Sequence, residues 1–162
     1  MMIIQDSRER TPFDLSFYGF EITRKSLKTG DYAPFGMEDK FSIDRKASIS
    51  ELVQNLFYGY TRFKKEMIRA SLMDNFFLVC EFPVELVYMF PHGSTVPRKK
   101  WDGLRATPSL IVHKLNLIYD AYGVKTIFCE NRQSAEEMTV KLLNKAINNE
   151  SFEDIEFFKV NI

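Results

Sequence analysis

The segment NFFLVCEF (75–82) is an unbroken apolar run with no polar face to turn toward water. Such a run fits a strand buried on both faces, which belongs in the middle of a sheet covered by helices on each side. The sequence after it follows that plan. SLIVHKLNLIYDA (109–121) has helical spacing and VKTIFCE is a second buried strand. SAEEMTVKLLNKAINN then reads as an amphipathic helix, with Ser134 as its N-cap.

The first half is strand-rich. Residues 1–5 form a short β-branched run that ends in charges and Pro12. Residues 20–28 alternate apolar and polar, as a half-buried strand does. Gly30 marks a turn, residues 33–40 suit a hairpin loop, and FSIDRK (41–46) resumes the strand pattern. From Ser48 the period becomes helical. Ser48 and Glu51 have capping-box spacing, and the apolar stripe through Leu52, Leu56, Phe63 and Met67 is interrupted at Gly59. The tail, FEDIEFFKVNI, alternates only weakly. Paired strands followed by alternating helices and strands predict an α/β fold with a mixed central sheet flanked by helices. At 162 residues, 45% of them apolar, one domain spanning 1–162 is expected.

Cys80 and Cys129 each sit in an apolar run, as small buried hydrophobes do, and suggest neither a disulfide scaffold nor a zinc site. No secretory h-region and no run of bilayer length is present, so a soluble, intracellular protein without membrane contact is expected: cytoplasmic in a bacterium or a virus-infected host, nuclear in a eukaryote. The formal net charge is zero, so any nucleic-acid-binding face must be local.

The sharpest chemical feature is Gly30-Asp31-Tyr32, followed thirteen residues after Asp31 by Asp44-Arg45-Lys46. On a strand, positions i and i+2 share a face, so Asp44 and Lys46 project together. A hairpin partner ending at Asp31 would bring its carboxylate beside them. Magnesium takes one or two carboxylates plus water and phosphate oxygens, which suits Asp31 and Asp44. Lys46 would then orient or help deprotonate the attacking water and offset phosphate charge. The plain alternative is a solvated strand with a surface ion pair, because D-x-K is a common tripeptide.

QDSRERTPF, LKTGDY, FSIDRKASISEL, LFYGYTRFKKEM and NFFLVCEF occur in this order. In these segments the chain resembles the XPF-type (ERCC4) nuclease domain, a branch of the PD-(D/E)XK restriction-endonuclease-like superfamily. The likeness is close over residues 3–82 and looser beyond. It implies a restriction-endonuclease-like fold and a catalytic centre of Asp31, Asp44 and Lys46, with Asp6, Arg8 and Glu9 at its edge and Arg45 nearby. It also implies magnesium as cofactor, with manganese able to substitute, and Asp31 and Asp44 as the metal ligands. Two departures stand out. Asp44 occupies the position of the family's usual glutamate, and Glu51 lies one place later than the family's next acid. Glu51 is therefore either an active-site support or simply the capping partner of Ser48.

Arg62, in the segment after the first helix, would meet substrate phosphate; otherwise it is a solvated helix arginine. Lys99, Lys100 and Trp101, with Arg98 and Arg105 nearby, combine cations and an aromatic in one loop, a composition able to hold a phosphate backbone and stack on an unpaired base. His92 and His113 lack partners at ligand spacing, and His113 reads as structural. Tyr119, Tyr122, Phe157 and Phe158 either form a dimer interface or finish the core.

The resulting expectation is a metal-dependent DNA endonuclease selective for branched, flapped or junction DNA in repair, recombination or replication. No helix-hairpin-helix segment is evident, so the expectation is either a stand-alone nuclease of viral or bacterial type or one that depends on a partner protein for DNA targeting; the resemblance also allows a homodimer. The alternative is a non-catalytic DNA-binding or scaffold subunit of a nuclease complex.

Overall fold

The computed structural model describes residues 1–161. Six strands, β1 (Met2–Asp6), β2 (Glu21–Lys25), β3 (Tyr32–Pro34), β4 (Phe41–Lys46), β5 (Asn75–Cys80) and β6 (Val124–Phe128), form one sheet in the order β2-β1-β3-β4-β5-β6. β3 runs antiparallel to β1 and β4, and the other three pairs are parallel. The helices are α1 (Ile49–Val53), α2 (Tyr60–Ala70), α3 (Glu85–Tyr88), α4 (Pro108–Tyr122) and α5 (Arg132–Ile147). A π-helical turn, Gln54–Tyr58, joins α1 to α2, and 3-10 turns occupy Leu15–Tyr18 and Arg98–Gly103. The mixed sheet flanked by helices is the architecture the sequence predicts.

β5 explains the layering. Its side chains alternate faces, so Phe76, Leu78 and Cys80 pack with Leu52, Leu56, Met67, Leu115 and Ile118 beneath α1, α2 and α4. Phe77 and Val79 face the other way and meet Ile43, Ala135, Leu142 and Leu143 beneath α5. Burying each such side chain stabilises the fold by about 1.5–3 kcal/mol. Both cysteines are buried and free.

Four local readings need revision. β2 is not the hairpin partner of β4: it pairs in parallel with β1 at the sheet edge, and β3, which begins just after Asp31, takes the position beside β4. Pro34 lies inside β3, so the loop starts at residue 35. The N-cap of α5 is Asn131, whose side chain accepts from Ser134 N–H, while Ser134 Oγ answers Asn131 N–H; Ser134 is the inner half of a capping box. The tail forms no strand, but it is tied down. Phe158 N–H donates to Thr126 O on β6 at 2.7 Å, and the Asn116 side chain clasps the backbone of Val160.

Tyr119 packs on Phe157 and Phe128 on Phe158, at centroid distances of 4.8 and 5.4 Å. Tyr122, Phe157 and Phe158 pack, half-buried, against the two core clusters. His113 is exposed rather than packed. Among the described residues no helix is long and apolar enough to cross a membrane.

Candidate active site

β1, β4 and β5 point the same way and β3 runs back between them, so the ends of β1, β4 and β5 and the start of β3 meet at one edge of the layers. Asp6, Asp31, Asp44, Arg45, Lys46 and Glu81 are among the charged residues found there. Asp31 is clipped to β4 on both sides of Asp44: its N–H donates to Ile43 O at 2.7 Å, and its Oδ2 accepts from Arg45 N–H at 2.7 Å. The two carboxylates consequently face each other. Burial first, and then the charge of Asp44, push the Asp31 carboxyl well above the usual carboxylate range.

Asp44 and Lys46 are 6% and 5% exposed. Lys46 Nζ lies 2.8 Å from Asp44 Oδ2, 3.9 Å from Glu51 Oε1 and 5.3 Å from the ring centroid of Phe63. Burial, the largest single influence, pulls the ammonium toward neutrality, but Asp44, Glu51 and Glu66 together outweigh it and hold Lys46 above its ordinary value. The direction of this shift favours the ammonium form, which suits Lys46 to orienting water and offsetting charge on a phosphate.

Asp44 Oδ2 is buried, with the Lys46 ammonium 2.8 Å away. Two opposed carboxylates form a donor set that fits a hard divalent cation. Among the described residues no three His, Cys, Asp or Glu side chains gather at metal-ligand spacing. Asp31 and Asp44 are the two candidate donors, and a cation held by two carboxylates would keep positions for water and phosphate.

Arg45 belongs to the opposite face. Its guanidinium donates to Glu9 Oε2 at 2.8 Å, to Thr11 Oγ1 at 2.9 Å and to Glu81 Oε2. Glu9 also accepts from the Tyr32 hydroxyl, and Glu81 from Arg132. Arg45 and Glu9, grouped with the catalytic residues in the sequence, are thus a buried ion network beneath the site, and Arg45 reaches Asp31 only through its backbone. Asp6 pairs with Arg8 at 3.0 Å and accepts from Leu27 N–H, while Arg8 also donates to Leu27 O. These two fasten the segment between β2 and β3.

Glu51 forms half of the expected capping box and lies beside Lys46. Its N–H donates to Ser48 Oγ, its Oε2 accepts from Ala47 N–H, and its other oxygen faces Lys46. Glu66 was missed in the sequence. It descends from α2, accepts from Gly30 N–H at 3.2 Å, and is pushed upward in pKa by burial and then by Asp44. Its signal was an acid inside the apolar stripe of Phe63, Met67 and Ala70.

Gly30 holds φ +83°, and a Cβ there would stand 2.0 Å from Ser42 Oγ. Ser42 Oγ is itself committed to Thr29 O at 2.8 Å. Gly30→Ala is expected to destabilise the protein by about 3 kcal/mol, from left-handed strain plus overpacking. A thermal melt will read this as a fall of roughly 10 °C; an unchanged melt would show that the turn tolerates a side chain.

The residues predicted to bind DNA are more scattered. Arg62 is exposed on α2, and Lys99 and Lys100 are exposed on the 3-10 turn. Trp101 is not a free stacking platform. Its indole N–H donates to Val96 O at 3.0 Å, its ring packs edge-on against His92, and Arg98 lies over it at 5.4 Å.

The ERCC4 domain model matches residues 5–142. No curated protein sequence matches the chain. Among solved structures, XPF from Aeropyrum pernix in complex with DNA superposes with a TM-score of 0.66 at 22% identity, covering 95% of this chain and 68% of that one. A second structure, XPF from Aeropyrum pernix, gives 0.66 at 19% identity, covering 100% and 68%. The likeness to these two is one of fold.

Proposed function

The chain belongs to the ERCC4 domain family, and from that premise we propose that it is a divalent-metal-dependent endonuclease that hydrolyses phosphodiester bonds in branched, flapped or junction DNA. The observation that carries the reading is the opposed pair Asp31 and Asp44 beside a protonated Lys46. DNA as the polymer is supported by the family and by the DNA held by the XPF structure from Aeropyrum pernix. Work in repair, recombination or replication follows from that substrate.

Asp31 and Asp44 would hold magnesium, or manganese in its place. When bound, such an ion polarises the attacking water and stabilises charge on the phosphate. The chain's own residues do the rest. Lys46 keeps its proton and sets a fixed positive charge beside Asp44, where negative charge develops on the phosphate oxygens in the transition state. Glu51 and Phe63 border the Lys46 ammonium, which reduces its freedom to swing. Arg45 acts through its backbone N–H, which fixes the Asp31 carboxylate, and through the Glu9–Glu81 network, which holds the end of β4 in register. Preorganisation of this kind spares the site reorganisation during the reaction.

The test is cleavage of labelled single-stranded, duplex, 3′-flap, 5′-flap, fork and four-way-junction DNA in magnesium, in manganese and in EDTA. Cutting is expected in either metal and none in EDTA, with a branched substrate preferred. Binding of these DNAs without cutting in any metal would overturn the enzymatic reading and leave a DNA-binding subunit.

A further inference from the structure

A groove of about 670 Å³ lies between the π-helical turn and the 3-10 turn Arg98–Gly103. Its walls carry Ser50, Gln54 and Tyr58 on one side and Thr95, Lys99 and Lys100 on the other. That volume is in the range of small-molecule and nucleotide sites. We propose that this groove takes the unpaired strand of a branched DNA next to the bond being cut, with Tyr58 as the stacking surface and Lys99 and Lys100 on the phosphates. The proposal rests on the nuclease reading above and assigns the single-stranded part of its substrate.

Four observations carry it. The first is continuity with the site: Ser50, in the groove wall, adjoins Glu51, whose carboxylate lies 3.9 Å from Lys46 Nζ. The second is Tyr58. It is 45% exposed, its hydroxyl is met by Arg105 N–H at 3.4 Å, and the Arg105 guanidinium lies over its ring at 4.9 Å. Tyr58 is the more exposed of the two rings, Trp101 being half-buried, and base stacking on an exposed ring tolerates any sequence.

The third is the wall chemistry. Lys99 and Lys100 make no salt bridge among the described residues, so both ammonium groups are available to phosphate. Ser50 and Thr95 share a hydroxyl–hydroxyl contact of 2.9 Å that latches the two walls together near the site. The fourth is the backbone. Gly59 N–H reaches back to Gln54 O at 2.6 Å, closing the wide turn whose first and last residues, Gln54 and Tyr58, both face the groove. Turns of this type recur at functional sites because the extra residue re-aims side chains at some cost to helix regularity.

Trp101 takes a different part from the one its sequence context suggested. Bonded to Val96 O and packed on His92, it is the post on which the lysine-bearing turn is built. The stacking function passes to Tyr58.

The experiment compares a labelled duplex carrying a twelve-nucleotide single-stranded oligothymidine arm with the same duplex lacking the arm, in EDTA, by fluorescence anisotropy. Tyr58→Ala is expected to weaken binding of the armed duplex roughly tenfold and to leave the blunt duplex within about twofold. Tyr58→Phe should bind both like the parent, since the ring is kept. Lys99→Ala with Lys100→Ala should flatten the dependence of log affinity on log salt for the armed duplex by about 1.4. Equal loss on both duplexes, or no loss on either, would overturn the groove. Parent protein that cuts branched DNA in magnesium while Tyr58→Ala binds the arm normally removes the groove and leaves the nuclease. Arm-selective loss in a protein that never cuts removes the nuclease and leaves the groove, and a parent that binds neither duplex removes both.

Discussion

Asp31→Asn is expected to slow cleavage by about a thousandfold or more and at the same time to raise the melting temperature of the metal-free protein. The rate falls because one of two carboxylate donors becomes a neutral amide, and the charge stabilisation a bound cation gives to phosphate chemistry amounts to several kcal/mol. The melting temperature rises because the amide oxygen still accepts from Arg45 N–H while the opposed charge is gone. The sign is fixed by the direction of the shift. Burial and then Asp44 raise the Asp31 carboxyl above its unfolded value, so its favourable contribution is present at low pH and lost as pH rises through the folded-state value. At neutral pH, without a cation, an ionised Asp31 is therefore a burden on the fold. Cleavage assays and paired melts in EDTA measure both halves. Near-normal cutting would remove Asp31 from the site, and a lower melting temperature would mean that the two carboxylates are not opposed.

Arg45→Ala is expected to give the opposite pattern. The guanidinium joins Glu9 and Glu81, whose side chains are 11% and 6% exposed, and cutting it back strands two carboxylates without their cation. Removing one partner from such a network costs about 3–5 kcal/mol, which for this length lowers the melting temperature by roughly 10–15 °C. At low temperature, where the variant stays folded, the turnover of each folded molecule should fall far less than in Asp31→Asn, because the backbone N–H that holds Asp31 survives. Denaturant unfolding together with single-turnover cleavage separates the two effects. Loss of turnover with stability intact would return Arg45 to the chemistry.

These two residues also show how far the sequence could be read. The strands were legible because β5 is apolar on both faces and β4 alternates, and that same alternation placed Asp44 and Lys46 together. It also puts Arg45 on the other face. The family resemblance places Arg45 near the centre, and the two-residue period of a strand turns its side chain to the other face. Asp31 does come to lie beside Asp44, but the strand expected to deliver it was not the right one. The FEITRKSLK run is strand-like by pattern, yet nothing in that pattern says that β2 crosses to the far side of β1 while a three-residue strand takes the place beside β4. Pairing is a tertiary choice that local periodicity does not encode. Glu66 depends on how α2 is laid across the sheet, and Trp101 on a carbonyl five residues away, Val96 O. A polar residue within an apolar stripe is a usable sign in the first case; in the second, an aromatic among cations carries no sign of its carbonyl partner.

The tail fastened along β6 bears on how the protein behaves in a crowd. A sheet has two open margins, each a ladder of unpaired amides and carbonyls on which another chain's strand can grow. At one margin β2 presents Glu21, Arg24 and Lys25, all exposed, and a charged border of that kind discourages a stranger's strand. At the other, Phe158 N–H occupies Thr126 O and Asn116 pins Val160, so the segment after α5 lies over β6 like a selvedge that keeps woven cloth from fraying. Without that hem, β6 with its neighbour β5, the most apolar strand of the sheet, would be the natural seed for fibrous self-association.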